Sequence, residues 1–220
     1  MLPISFYFPE NLAWKGWGLS TAILSAGTVV CTGMIYASLK TIRPWNAWQV
    51  VPAYLLIGML GGALMASFIA VIFDAYRPVY SWTIVGLAAL VGFIKISFWR
   101  SADRNKNRST AATATGLGDS SAKVSLLDSP STSENYIMRE MGFVVARKHS
   151  KKLRKISGYS LFVIPALTGM LTVTIEGKAA ITLLILLGMV AYSAGALIER
   201  WLFFAEAKHV VTLYYGARSV

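Results

Sequence analysis

Five stretches of the chain contain no Asp, Glu, Lys or Arg: Gly16 to Leu39, Pro44 to Phe73, Pro78 to Ile94, Ile156 to Ile175 and Ala179 to Ile198. None shows the polar position every third or fourth residue that marks a helix lying on a soluble core. A helix crosses the hydrocarbon core of a bilayer with about 20 apolar residues, and roughly 17 suffice. Backbone polar groups in lipid must find partners within the chain, and a barrel would need short alternating strands. The pattern therefore predicts an all-α polytopic integral membrane helix bundle with five transmembrane helices.

The tryptophans sort to the ends of these runs. Trp14 and Trp17 precede or open the first, Trp45 and Trp48 lead into the second, Trp82 and Trp99 bracket the third, and Trp201 follows the fifth. Indole rings settle at headgroup level, so this placement agrees with the predicted spans. Composition changes the picture little: 55% of residues are hydrophobic and 14% charged, against about 25% charged in soluble domains. The first residues, MLPISFYFPENLAWKGW, lack the basic region, apolar core and cleavage site of a signal peptide.

Charge sidedness predicts orientation. Lys15, Arg77 and Lys178 fall on one side, whereas Lys40, Arg43, the connection from Arg100 to Ser157, Arg200, Lys208 and Arg218 carry most of the 21 basic residues on the other. Basic flanks stay in the cytoplasm, so the N-terminus is expected outside, with the long connection and C-terminus inside. Lys95 is expected to snorkel to the same cytoplasmic face.

The chain divides on this reading into four parts. Residues 1–99 form a three-helix membrane segment. Residues 100–133, rich in Ser, Thr, Ala and Gly, form a linker too polar to fold, expected to be disordered. Residues 134–155 form a basic amphipathic helix, opened by the capping-box spacing of Ser131 and Glu134. Its Ile137, Met141, Val144 and Val145 share one face. Residues 156–220 form a two-helix membrane segment with a charged, aromatic C-terminal extension. The cations Arg147, Lys148, Lys151, Lys152, Arg154 and Lys155 fit three roles: contact with anionic lipid, docking of a soluble subunit, or anchoring of topology. A nucleic-acid role would need an accessible soluble module with interleaved aromatics, which the pattern does not offer. Small residues at Gly58 and Gly62, with Gly61 and Ala63 between or beside them, and at Ala191 and Gly195, predict close helix packing.

Candidate redox chemistry is bounded by ligand counts. Cys31 is the single cysteine and lies inside the first span, so it reads as a small packing residue. The two histidines, His149 and His209, lie outside the spans, and a bis-histidine haem needs a facing pair within the bundle. The chain is expected to hold no haem, iron–sulfur cluster or other metal, and electrons would move through a diffusible quinone. The closing stretch IERWLFFAEAKHVVTLYY places Glu199, Arg200, Trp201, Glu206 and His209 among aromatic rings. Were the last helix to continue, Glu199 and Glu206 would share a face and Glu206 would reach His209. Such a set suits a quinol headgroup, whose oxidation releases protons to a carboxylate or a neutral imidazole. It also suits a charged helix end that merely halts translocation.

Three segments, GALIERWLFFAEAKHVVTLYYG, ENYIMREMGFVVARKHSKKLRKIS and TGMIYASLKTIRPW, resemble the membrane anchor subunit family of dimethyl sulfoxide reductase. The likeness is greatest to anchors of molybdopterin enzymes acting on sulfur compounds, sulfite among them. The resemblance implies a non-catalytic subunit of an oxidoreductase complex in the bacterial cytoplasmic membrane. It would tether an iron–sulfur electron-transfer subunit and a molybdopterin catalytic subunit and exchange electrons with the quinone pool. Anchors of the family have about eight spans, so the resemblance leads one to expect that helices equivalent to the first three are lost or encoded elsewhere. A menaquinol-binding carboxylate of the family belongs to that part, so Glu199, Glu206 and His209 rest on their own chemistry. A non-redox scaffold or transporter, or a truncated anchor fragment without function, are the alternatives. The absence of mid-span carboxylates and internal repeats argues against a transporter.

Overall fold

The computed structural model describes residues 12–104, 110–116, 124 and 143–213. Among them every regular element is helical. Helix α1 spans Leu12–Ala37, α2 Val50–Ile72 and α3 Pro78–Arg104. The short α4 spans Ala111–Thr115, α5 Val144–Lys148 and α6 Ser150–Gly158. A π-helical turn, Tyr159–Val163, joins α6 to α7 at Ile164–Thr174, and α8 runs over Lys178–Ala205. A 3-10 turn, Val210–Leu213, follows. Five helices are long and apolar enough to cross a membrane, as the uncharged runs predicted, the fourth comprising α6, the π turn and α7.

Four of the five form a closed cycle: α2 packs on α3, α3 on α7, α7 on α8, and α8 on α2, with α1 lying outside against α2. The shared core joins Ile57, Leu60 and Leu64 of α2 to Ile84, Ala88 and Val91 of α3 and to Leu161 of the π turn. Large apolar side chains elsewhere, such as Leu24, Phe93, Leu183 and Val190, are exposed, as they must be where lipid replaces water as solvent.

The π turn has a cause in the sequence. Pro165 lacks the N–H that would close the preceding turn, and its ring crowds the carbonyl there. The backbone widens just upstream. This turn faces Gly195 of α8 so closely that a Cβ on that glycine would lie 2.7 Å from the Leu161 Cα. Gly195 therefore packs as expected. In the small-residue face of the second span the close contact is made by Gly61, where Tyr192 seats, while Gly58 and Gly62 face open space. Tyr192 donates to the Ile57 carbonyl at 2.7 Å, which fixes α8 against α2. Cys31 likewise is exposed rather than packed.

Helix α3 runs to Arg104, past residue 99, which divides the three-helix segment from the linker in the sequence reading, and α4 lies within the stretch read as linker. A capping box between Thr110 and Thr113, closed by Gly116 in the left-handed region, gives α4 its ends. The basic helix is split at His149 into α5 and α6. Its first half, with Ser131, Glu134, Ile137 and Met141, lies outside the described residues.

Candidate functional site at the cation-rich end of the bundle

The ends of α1, α3 and α8 and the starts of α2 and α6 meet at one end of the bundle. The connection from Ser38 to Gln49 lies across it, held by the Trp45 Nε1 donating to the Phe203 carbonyl at 3.0 Å. The Val210 N–H donates to the Thr41 carbonyl at 3.2 Å, tying the C-terminal segment to the same connection. Trp45 stacks on Phe203 at 5.4 Å between centroids, and Tyr36, Tyr54 and Phe98 complete the aromatic group around that ring. Such ring pairs each contribute about 0.5–1.5 kcal/mol beyond burial, so this end is rigid.

Between the connection and the helix ends lies a cavity of about 410 Å³. Its apolar walls include Trp48, Phe98 and Phe203, and its polar rim includes Arg43, Arg147, Arg154, Glu206 and Lys208. That volume is within the roughly 300–1,000 Å³ of small-molecule sites, and the mix of apolar walls with a few polar groups is their usual make-up. Gln49 also lines it, is 4% exposed, and has a buried Oε1 without a hydrogen-bond partner among the described residues. Its Nε2 faces the Ser97 hydroxyl at 3.4 Å. A buried acceptor left unpaired costs about 1–3 kcal/mol, so this atom calls for a donor.

The rim is organised by two arginines. Arg147 donates from Nε to the Ala205 carbonyl at 2.8 Å and from Nη2 to the Ala207 carbonyl at 3.2 Å. A cation on the orphan carbonyls of a helix end is favoured by the helix dipole. Partial burial draws Arg147 below the usual arginine pKa. Arg154 donates from Nε and Nη2 to Glu206 Oε2 at 3.1 and 2.8 Å, and from Nη1 to Asp103 at 2.8 Å. It thereby clamps α6 to the end of α8 and to α3.

Deeper in the bundle, Lys95 of α3 and Glu199 of α8 form an ion pair, both almost wholly buried at 2% and 1% exposure. Glu199 also accepts from Arg200 Nε, so two cations share one carboxylate. Lys95 Nζ lies 4.3 Å from the Phe98 centroid, and the Arg200 guanidinium 4.3 Å from that of Tyr54 and 4.8 Å from that of Phe203. Lys95 therefore does not snorkel to the headgroups. Its partner on α8 gives it a better counter-charge than the membrane surface could.

The five residues singled out for quinol chemistry are dispersed. Glu206 lines the cavity; Glu199 and Arg200 sit behind it in the buried cluster; Trp201 is 43% exposed on the outer surface. Helix α8 stops at Ala205, so Glu206 and His209 do not share a helical face. Of the six cations of the basic run, Arg147 and Arg154 turn inward, while Lys148, Lys151, Lys152 and Lys155 stay exposed. Sequence reasoning missed Gln49, Arg43 and Phe98 as cavity residues, since they lie in an interhelix connection and on another helix. The one available signal was the polar Gln49 within an otherwise uncharged run.

The chain is similar to a sulfite dehydrogenase subunit of Allochromatium vinosum, at 32% identity over 204 residues, 90% of this chain. It spans 59% of the length of that relative. No family model matches the chain, and no solved structure matches it.

Proposed function

We propose that the chain is a membrane subunit of a sulfur-compound oxidoreductase complex, sulfite being the substrate class that its relative's name suggests, and that it exchanges electrons with a membrane quinone at the cavity. The single observation that carries the site is a ring-walled cavity lined by Glu206 and by Gln49, whose Oε1 is buried and lacks a partner among the described residues. A quinone supplies two-electron, two-proton redox capacity when bound. Phe98, Phe203 and Trp48 would flank its planar ring. Gln49 would accept from a hydroxyl once its amide, whose Oε1 is closed off from solvent, turns into the cavity. Glu206 would hold the proton released at the rim, with Arg154 fixing its orientation. Glu199 and Arg200 would support the site through the Phe98 and Phe203 contacts of their cluster, and His209 and Trp201 do not line the cavity.

The iron–sulfur and molybdopterin subunits expected as partners would approach this end, where Lys148, Lys151, Lys152 and Lys155 offer an exposed cationic face. Anionic headgroups would meet the same lysines beyond the partner's edge. Reporter fusions at Thr115 test the orientation that this requires: a cytoplasmic reporter is expected to be active there and alkaline phosphatase silent. The reverse result would place the partners on the opposite side and remove the basis for a cytoplasmic sulfite-type complex.

Function is tested in the complete complex with Glu206→Gln. Quinone-coupled turnover is expected to fall by about 10²-fold or more, the usual contribution of a positioned base, while dye-coupled turnover stays at the unsubstituted level. Equal turnover with quinone would exclude Glu206 from the reaction, and a parallel loss with dye would mean that its ion pair with Arg154 is structural only.

A further inference from the structure

Lys95, Glu199 and Arg200 have no part in lining the cavity, yet two of its walls rest on them. The Lys95 ammonium lies 4.3 Å from the centre of Phe98, and the Arg200 guanidinium 4.8 Å from the centre of Phe203. Both rings line the cavity and neither cation does, so each charge reaches the cavity wall through contact with a lining ring. Two cations share the Glu199 carboxylate, which leaves one excess positive charge. The Arg200 Nη1 is buried and without a hydrogen-bond partner among the described residues. At the rim the balance differs: Arg154 faces two carboxylates, Glu206 and Asp103, and Arg147 serves helix-end carbonyls.

We propose that the Lys95–Glu199–Arg200 cluster is a fixed excess positive charge behind the cavity wall that selects the electron-rich, anionic form of a quinone-class occupant. The inference rests on the quinone reading of the cavity and deepens it: the cluster biases which redox and ionisation state is held. The physical basis is plain. A unit charge within about 10 Å, at the effective dielectric of a buried site, changes the relative affinity for an anion by about tenfold. Water and salt screen the almost wholly buried Lys95 little, whereas Arg200 is partly exposed. A structural ion pair alone would need one cation for one carboxylate; the second cation, seated on the other wall, is what a pair does not require.

The test compares lawsone, a hydroxynaphthoquinone ionised at neutral pH, with menadione, its uncharged methyl analogue. Binding to the full chain in nanodiscs is read by quenching of tryptophan fluorescence, Trp48 being part of the wall. The specific signal is that removed by Ala102→Phe, which fills the cavity. The lawsone-to-menadione affinity ratio is expected to fall about tenfold in Lys95→Met and in Arg200→Gln. It should return to the original value in Lys95→Met/Glu199→Gln, which keeps a single unpaired cation. A merely structural cluster makes the double variant worse than either single one, and a ratio that fails to recover overturns the inference. So does a ratio indifferent to all three variants while Ala102→Phe still abolishes the signal. Wild-type quenching that Ala102→Phe leaves untouched overturns the quinone reading itself and this inference with it.

Discussion

Glu199→Gln is expected to destabilise the bundle by about 3–5 kcal/mol, the cost of removing one partner of a buried ion pair. Lys95 would be left at 2% exposure with no counter-charge, and Arg200 would lose the carboxylate that accepts from its Nε. Phe98 and Trp99 lie against the buried Lys95, so water reaches it little, while Arg200, between Tyr54 and Phe203, is partly exposed. Lys95→Met should cost clearly less, since Glu199 keeps Arg200 and the methionine fills much of the lysine's volume. The double variant should then be no worse than about 1 kcal/mol below Lys95→Met alone, since no unpaired lysine remains. The measurement is the midpoint of unfolding in mixed micelles of increasing sodium dodecyl sulfate, read by loss of helical dichroism. Losses that simply add in the double variant would mean that the three side chains do not act as one cluster.

The spans were legible in the sequence because lipid imposes one demand on every residue that faces it. Charge must be absent over the whole crossing, and five uninterrupted runs meet that demand. The same demand hid the site. Lys95 and Glu199 lie just past the uncharged runs, and local reading sent Lys95 to the headgroups and Glu199 to a quinol headgroup or a charged helix end. Their pairing depends on α3 and α8 being neighbours in the cycle, a long-range fact with no periodic trace. The end of α8 was misjudged for a related reason. Nothing in AEAKHVV breaks a helix by propensity; the chain leaves helical geometry where Arg147 takes the Ala205 and Ala207 carbonyls and Arg154 takes Glu206. Gly58, Gly61, Gly62 and Ala63 read as one small-residue face, and Tyr192 seats on Gly61 within it. Spacing identifies a smooth face, and the neighbouring helix's large side chains decide which glycine is used.

Gly195→Ala is expected to weaken the fold by about 3 kcal/mol or more, at or beyond the upper range for overpacking. The new methyl would lie 2.7 Å from the Leu161 Cα and 2.8 Å from the Ser160 carbonyl carbon. These are backbone atoms of the π turn, so no rotamer change relieves the contact. The Ser157 hydroxyl, which donates to the Gly195 carbonyl at 3.1 Å, would be drawn out of range as the helices part. Two other glycines of the bundle supply the scale. A Cβ at Gly188 meets the Thr168 hydroxyl at 2.7 Å, a side-chain atom that can rotate, so Gly188→Ala should cost less. A Cβ at Gly58 meets nothing within 4 Å, and Gly58→Ala should change stability by no more than about 0.5 kcal/mol. The effect at Gly195 also reaches the site, because Glu199 lies one turn further along α8. Separating α8 from the π turn would move that carboxylate relative to Lys95 on α3. Gly195→Ala should accordingly lower the unfolding midpoint and the quinone-coupled rate together, whereas Gly58→Ala leaves both in place. If Gly195→Ala is as stable as Gly58→Ala, the π turn yields easily and the close approach at Leu161 does not set the position of α8.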